Sequence, residues 1–235
     1  MNHIQALFKE QDMVRDIVLR FPKSADYFRG RKIDFCCGGA RPLGEAAAER
    51  GIPVETLLTD LNRLAAEHPR AEEEQDWTKA ESADLIGHIV NTHHRYLREE
   101  LPEIQKNVTK VSRVHGDADT HLREVERLFG ELRRELLEHT DKEEAEEFPK
   151  IILWEKSRDP EVLEKLQSAI AELESEHDAA GDILKQLREL TDDFQPPGHA
   201  CTTYRLTYSR LEELEAMTFT HVHLENNILF PRYTI

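Results

Sequence analysis

A chain of 235 residues is long enough to bury a proper core, and with one third of its residues charged and only 10 glycines and 10 prolines it favours a mostly helical protein. A formal charge of −16 excludes a surface built for nucleic acid or for an anionic membrane. No apolar run approaches the roughly twenty residues of a membrane span, no signal-peptide pattern opens the chain, and 3 cysteines cannot all pair, so a cytoplasmic protein without a disulfide framework is expected.

Residues 1–68 read as a small helical domain. Met13, Ile17 and Leu19 mark a first helix closed by Phe21-Pro22, and Ser24 is placed to cap a short helix through Tyr27 and Phe28 that ends at Gly30. Asp34-Phe35-Cys36-Cys37-Gly38-Gly39 forms a tight turn. Pro42 and Pro53 stand where helices begin, which predicts helices over 43–50 and 54–67. Residues 69–80, with Pro69 and a run of glutamates, read as a linker.

From Ser82 onward the period is helical and long. A first long helix over 82–113 contains Pro102, which predicts a kink or local break. A second, over 119–147, lines up Val125, Leu128, Phe129, Leu132, Leu136, His139 and Glu143 close to one stripe. Asp159-Pro160 caps and opens a third, to about residue 190, and two prolines precede a fourth over 202–230. Four long amphipathic helices with short connections predict an all-α, up-down-up-down four-helix bundle over 81–235.

One pattern occurs twice in that bundle: His139, Glu143 and Phe148-Pro149-Lys150, then His221, Glu225 and Phe230-Pro231-Arg232, about eighty residues apart. Positions i and i+4 share a helix face, so each copy aims an imidazole and a carboxylate at one point. A single such pair is a weak signal in a Glu-rich chain, and two with a matching tail point to a metal site. The other two helices should then face the same cavity. The third offers only His177. In the first, His93 and His94 lie about 140° and 120° from His88 at 3.6 residues per turn, so the three cannot all face inward. The stripe Leu97, Leu101, Ile104 continues backward through His94 and Val90, which selects His94, with His88 as runner-up. His115 would be some 30 Å from His94 along a straight helix, and only a redirected chain at Pro102 would let it join or back the ligands.

The inferred ligands are His94, His139, Glu143, His177, His221 and Glu225. Mixed imidazole and carboxylate donors disfavour a closed thiolate site. Six donors exceed what one ion requires and suit two iron ions, each with two histidines, bridged by two carboxylates and an oxo or hydroxo group.

With those residues in view, the bundle resembles the hemerythrin-like proteins. The whole chain resembles the ScdA/YtfE-like repair-of-iron-centres family, on Asp34-Phe35-Cys36-Cys37-Gly38-Gly39, Arg98-Glu99-Glu100-Leu101-Pro102, Glu174-Ser175-Glu176-His177-Asp178 and Leu224-Glu225-Asn226-Asn227. The resemblance implies a cytosolic di-iron protein, commonly a homodimer. It would restore iron–sulfur clusters damaged by nitric oxide or oxidants by donating iron, with the damaged iron–sulfur proteins as clients. Two alternatives use the same ligands: a di-iron NO reductase or peroxidase, and an O2- or NO-sensing binding protein. Oxygen-carrying hemerythrins have a second histidine four residues along the third helix, where this chain has Gly181. One iron is thereby expected to be more open and more labile. Two readings stand for Cys36 and Cys37: one buried and one exposed thiol in a glycine-rich turn, or a redox- or NO-reactive pair.

Overall fold

The structure, a computed structural model, describes residues 7–68 and 75–234. Half of the sequence-predicted linker, residues 69–74, lies outside the described residues. Among the described residues the regular structure is helical, with no β-strand, only an isolated bridge between Met13 and Pro42. It divides into two compact units, one of residues 1–80 with 222–228, the other of residues 81–221 with 229–235.

The first unit holds α1 (Val14–Arg20), α2 (Ser24–Arg29), α3 (Leu43–Glu49) and α4 (Val54–Glu67). Its core gathers Val14, Ile17, Val18, Phe28, Ile33, Phe35, Leu43, Leu57 and Leu61, all buried. Val18, rather than the expected Leu19, completes the inner face of α1. Ser24 is the first helical residue and not the cap: its hydroxyl donates backward to the carbonyl of Phe21 at 2.6 Å.

The turn after α2 is organised by Asp34, whose Oδ1 accepts from the backbone N–H groups of Cys36 and Cys37, each at 3.1 Å. Gly39 follows because a Cβ there would collide with the carbonyl of Phe35. Within the same unit, Asn227 Nδ2 donates to the carbonyl of Cys36 at 3.0 Å, and the ring of His223 meets Phe35 edge-on at 5.7 Å.

The bundle makes up the second unit, save for residues 222–228 of its last rod, which group with the first. Its first rod joins α5 (Ser82–His88), a π-helical turn (Ile89–His94) and α6 (Arg95–His115). The second joins α7 (His121–Lys142), a π turn (Glu143–Glu147) and α8 (Phe148–Ser157). The third is α9 (Pro160–Leu190). The fourth is α10 (Thr202–Leu224), followed by a π turn (Glu225–Leu229) and a 3₁₀ turn (Phe230–Arg232).

Two sequence expectations change here. The second rod does not stop at residue 147: Pro149 lies at the second position of α8, and the helix runs on to an αL cap at Arg158. Pro102 lies inside α6 without ending it. Asp159 caps α9 as the sequence suggests, its side chain accepting from the N–H of Glu161 at 2.9 Å.

α6 packs on α7, and α7 on α9. Between them run Leu97, Leu101, Ile104 and Val108 from α6, Val125, Phe129 and Leu132 from α7, Leu184 and Leu187 from α9, and Tyr204, Tyr208 and Leu211 from α10. This apolar column is continuous, and it ends where the inward positions turn from leucine to histidine and glutamate. Among the described residues no helix is long and apolar enough to cross a membrane.

Candidate metal centre

The three π turns all sit at the polar end of the bundle, and each adjoins a chemistry-bearing residue: one ends on His94, the others begin on Glu143 and Glu225. A π turn closes i→i+5 bonds and inserts a residue, which shifts the inward face; such turns concentrate at functional sites. In the first rod this has a direct consequence. The 3.6-residue arithmetic allows only one of His93 and His94 to point inward, whereas both are buried, at 4% and 0% exposure. Ile89, not Val90, continues the buried face below them.

Two groups of buried donors result. His94, Glu143, His221 and Glu225 form one, and His139, Glu143, His177 and Glu225 the other, with the donor atoms of each group lying within 4.8 Å of one another. The groups share both carboxylates and divide the four imidazoles in pairs.

Within the first, Nε2 of His94 and Nε2 of His221 are 3.2 Å apart; in the second, the corresponding atoms of His139 and His177 are 2.9 Å apart. Two nitrogens bound to one ion at 2.0–2.1 Å stand about 3 Å apart when the angle between them is near 90°. Glu143 presents Oε2 to His94 at 3.3 Å and Oε1 to His139 at 3.2 Å, so its two oxygens address the two groups separately.

The ring orientations are fixed from behind. Nδ1 of His94 donates to Oε1 of Glu144 at 2.7 Å, and Arg98 donates to the same oxygen. Nδ1 of His139 donates to Oε2 of Glu176 at 2.6 Å, and Lys142 reaches the other oxygen of that carboxylate at 2.9 Å. Such carboxylate partners choose the tautomer and leave the Nε2 lone pair facing inward. The hydrogen bond from His139, together with Lys142, holds Glu176 down to about 2. Burial opposes ionisation of Glu144, but Arg98 and His94 overcome it and keep this carboxyl below its ordinary range.

The repeated Phe-Pro tails supply the walls. Phe148 stacks on His94 at 5.8 Å and Phe230 on His177 at 6.2 Å, so each aromatic serves a histidine of another rod and not the one in its own motif.

The donor set fits metal ions. Ionised carboxylates at full burial are costly unless cations compensate them. Here Glu143 and Glu225 are fully buried among four imidazoles. Nitrogen and oxygen donors without thiolate suit first-row divalent and trivalent metals rather than a closed structural zinc site.

The other singled-out residues lie elsewhere. His115 ends α6 with Nε2 3.3 Å from Sγ of Cys201 and its ring beside Tyr204, at the opposite end of α6 from the donors. With no redirection at Pro102, it joins neither group. His88 is half-buried and belongs to neither group; it meets His93. Cys36 is buried and Cys37 half-buried, both as free thiols, with Sγ atoms 3.7 Å apart. Hydrogen bonding with Cys37 and burial push the Cys36 thiol well up, so it stays protonated at neutral pH. His223 is buried against Phe35, and burial pushes it down to about 4.

Sequence reasoning set His93 aside; the one signal that could have recovered it is the adjacency of two histidines in a run that fits no single α-helical stripe.

Fold and donor set together define a hemerythrin-type, cation-binding helical bundle, and residues 85–233 match the hemerythrin HHE cation binding domain. Residues 10–65 match the ScdA_N domain, described as of unknown function. The iron-sulfur cluster repair protein ScdA of Staphylococcus haemolyticus is 36% identical over 228 residues, covering 97% of this chain and 100% of that one. ScdA of Staphylococcus epidermidis is 34% identical over 227 residues, covering 96% and 99%. The iron-sulfur cluster repair protein YtfE of Escherichia coli is 37% identical over 217 residues, covering 92% and 94%. The chain belongs to this ScdA/YtfE family.

Proposed function

We propose that the protein is a di-iron protein that repairs iron–sulfur clusters damaged by nitric oxide or oxidants, by donating iron to the damaged proteins. The observation that carries this is the pair of buried donor groups sharing Glu143 and Glu225, in a chain whose full-length relatives are named for cluster repair. His94 and His221 would hold one iron, His139 and His177 the other, with Glu143 and Glu225 bridging them alongside an oxo or hydroxo group. The irons would supply a change of oxidation state and exchangeable coordination. We further take the protein to act in the cytoplasm, as a homodimer.

The chain's own residues account for both retention and release. Glu144 and Glu176 each hold a histidine with Nδ1 outward and Nε2 inward, so the binding nitrogens are set before a cation arrives. Phe148 and Phe230 close the sides of the centre with rings that cannot compete as donors. Neither half draws more than two imidazoles from these groups, and nothing lies within 4 Å of where a Cβ on Gly181 would stand. A half with so few nitrogen donors favours exchange over permanent retention.

The test is the iron content and absorption spectrum of purified protein, followed by incubation of iron-labelled protein with a client whose cluster has been removed. Two irons per chain, an oxo-bridge band and label recovered in the client's rebuilt cluster are expected. Iron that binds but never reaches the client would overturn the donation step. Absence of iron binding would overturn the centre itself.

A further inference from the structure

We propose that His88 and His93 form a file of imidazoles along which a ferrous ion passes between the protein surface and the His94/His221 half of the centre. The inference rests on the reading of that centre as one that binds and releases iron.

The file is a product of the first π turn. In an α-helix, residues five apart diverge by about 140° around the axis; a π turn closes i→i+5 bonds and brings such residues onto neighbouring positions. His88, the last residue of α5, and His93, inside the π turn, are five apart, and their ring centroids are 5.7 Å apart in edge contact. His93 in turn stacks on His221 at 5.7 Å with only 14° between the ring planes. Three imidazoles therefore run in equal steps from a half-buried position to a fully buried member of a donor group.

Burial makes such a path necessary. His94, His139, His177 and His221 are at most 6% exposed, and both carboxylates are fully buried. A ferrous ion stripped of water cannot cross that layer without donors along the way. Neutral imidazole is the commonest metal ligand and binds without changing its own charge, so each ring can take the ion as the previous one lets go.

The experiment loads the full chain with ferrous iron and follows its release to a colour-forming ferrous chelator. His93→Phe keeps an aromatic ring against His221 but removes the nitrogen donors. It is expected to leave two irons per chain, and to slow release of one of the two about tenfold, equivalent to about 1.4 kcal/mol of barrier. The second ion, on the His139/His177 half, should leave at the wild-type rate. His88→Ala, at a half-buried position, should slow the same phase. In His93→Ala, free imidazole added to the solution should restore the rate, an effect that a purely structural loss would not show. Unchanged release in both His93→Phe and His88→Ala, with two irons bound, would overturn the path and leave the centre standing. If His93→Phe fails to fold, an unaltered rate in His88→Ala overturns it alone. A wild-type chain that binds no iron would remove the centre and the path together.

Discussion

Oε2 of Glu176 accepts from Nδ1 of His139 at 2.6 Å, which settles the tautomer of one binding histidine from outside the donor groups. Because His139 and Lys142 hold the folded-state pKa of Glu176 at about 2, against an ordinary 4.5, the ionised carboxylate favours the folded state. That contribution is fully present above about pH 4.5 and is lost as pH falls from there toward 2. In metal-free protein, Glu176→Gln should therefore lose less stability than wild type between pH 6 and pH 3, as read by urea midpoints. Equal losses in the two proteins would show that the contact carries no such linkage. In metal-loaded protein the same variant should bind about 10- to 100-fold more weakly, the usual effect of losing a carboxylate behind a ligating histidine.

Glu143 and His139 are one α-helical turn apart, but they belong to different numbers of donor groups. Glu143 belongs to both donor groups, whereas His139 belongs to one. Glu143→Ala should abolish binding of both irons, and His139→Ala should leave about one. Each loss also leaves buried donors without their cation, so the loaded protein's advantage in stability should fall by about 2–5 kcal/mol. Metal analysis and melting of the two variants side by side check this, and equal stoichiometry in both would contradict a shared carboxylate.

The contrast between those motifs and the first helix shows what a sequence can reveal. His139 with Glu143, and His221 with Glu225, were legible because the π turns begin on the glutamates, after the i,i+4 spacing is complete. In the first rod the π turn lies between His88 and His94, so every angle reckoned across it is wrong, and His93 was turned away from the interior. No periodicity announces an inserted residue, because apolar stripes look the same on either side of it. The bundle itself was legible from Leu97 to Ile104 and Val125 to Leu132, where packing follows the 3.6-residue period without interruption. Ser24 was misassigned for a simpler reason: a serine before a helix and a serine opening one differ only in the hydrogen bond they make.

Arg188 and Glu215 offer a stability test remote from the donors. Nε of Arg188 donates to Oε1 of Glu215 at 2.8 Å, with a second contact from Nη2, and the Glu215 side chain is 2% exposed. Arg188→Leu strands a buried carboxylate, and a cost of about 3–5 kcal/mol is expected. Pairing it with Glu215→Leu should recover most of that loss, because the stranded charge is then gone. Urea denaturation measures both, and iron content should not change in the double variant. A single variant as stable as wild type would show that Glu215 finds another partner.

Gly181 sits four residues beyond His177 on α9, so its side-chain position falls on the same helix face, and a Cβ built there has nothing within 4 Å. The residue is therefore not held as glycine by close packing, and a larger side chain meets open space at its root. Gly181→His replaces a poor helix former and should raise stability by about 0.3–0.5 kcal/mol. It also places a third imidazole beside the half that contains His139 and His177. Release of one iron to a strong chelator should slow, while the ion on the His94/His221 half leaves as before. The variant would then retain iron better and donate it more slowly. A higher melting temperature with both release phases unchanged would mean that the new imidazole stabilises the helix without reaching the centre. Faster release would mean that crowding beyond Cβ disturbs His177, and that the openness of this half does not set how readily it gives up its ion.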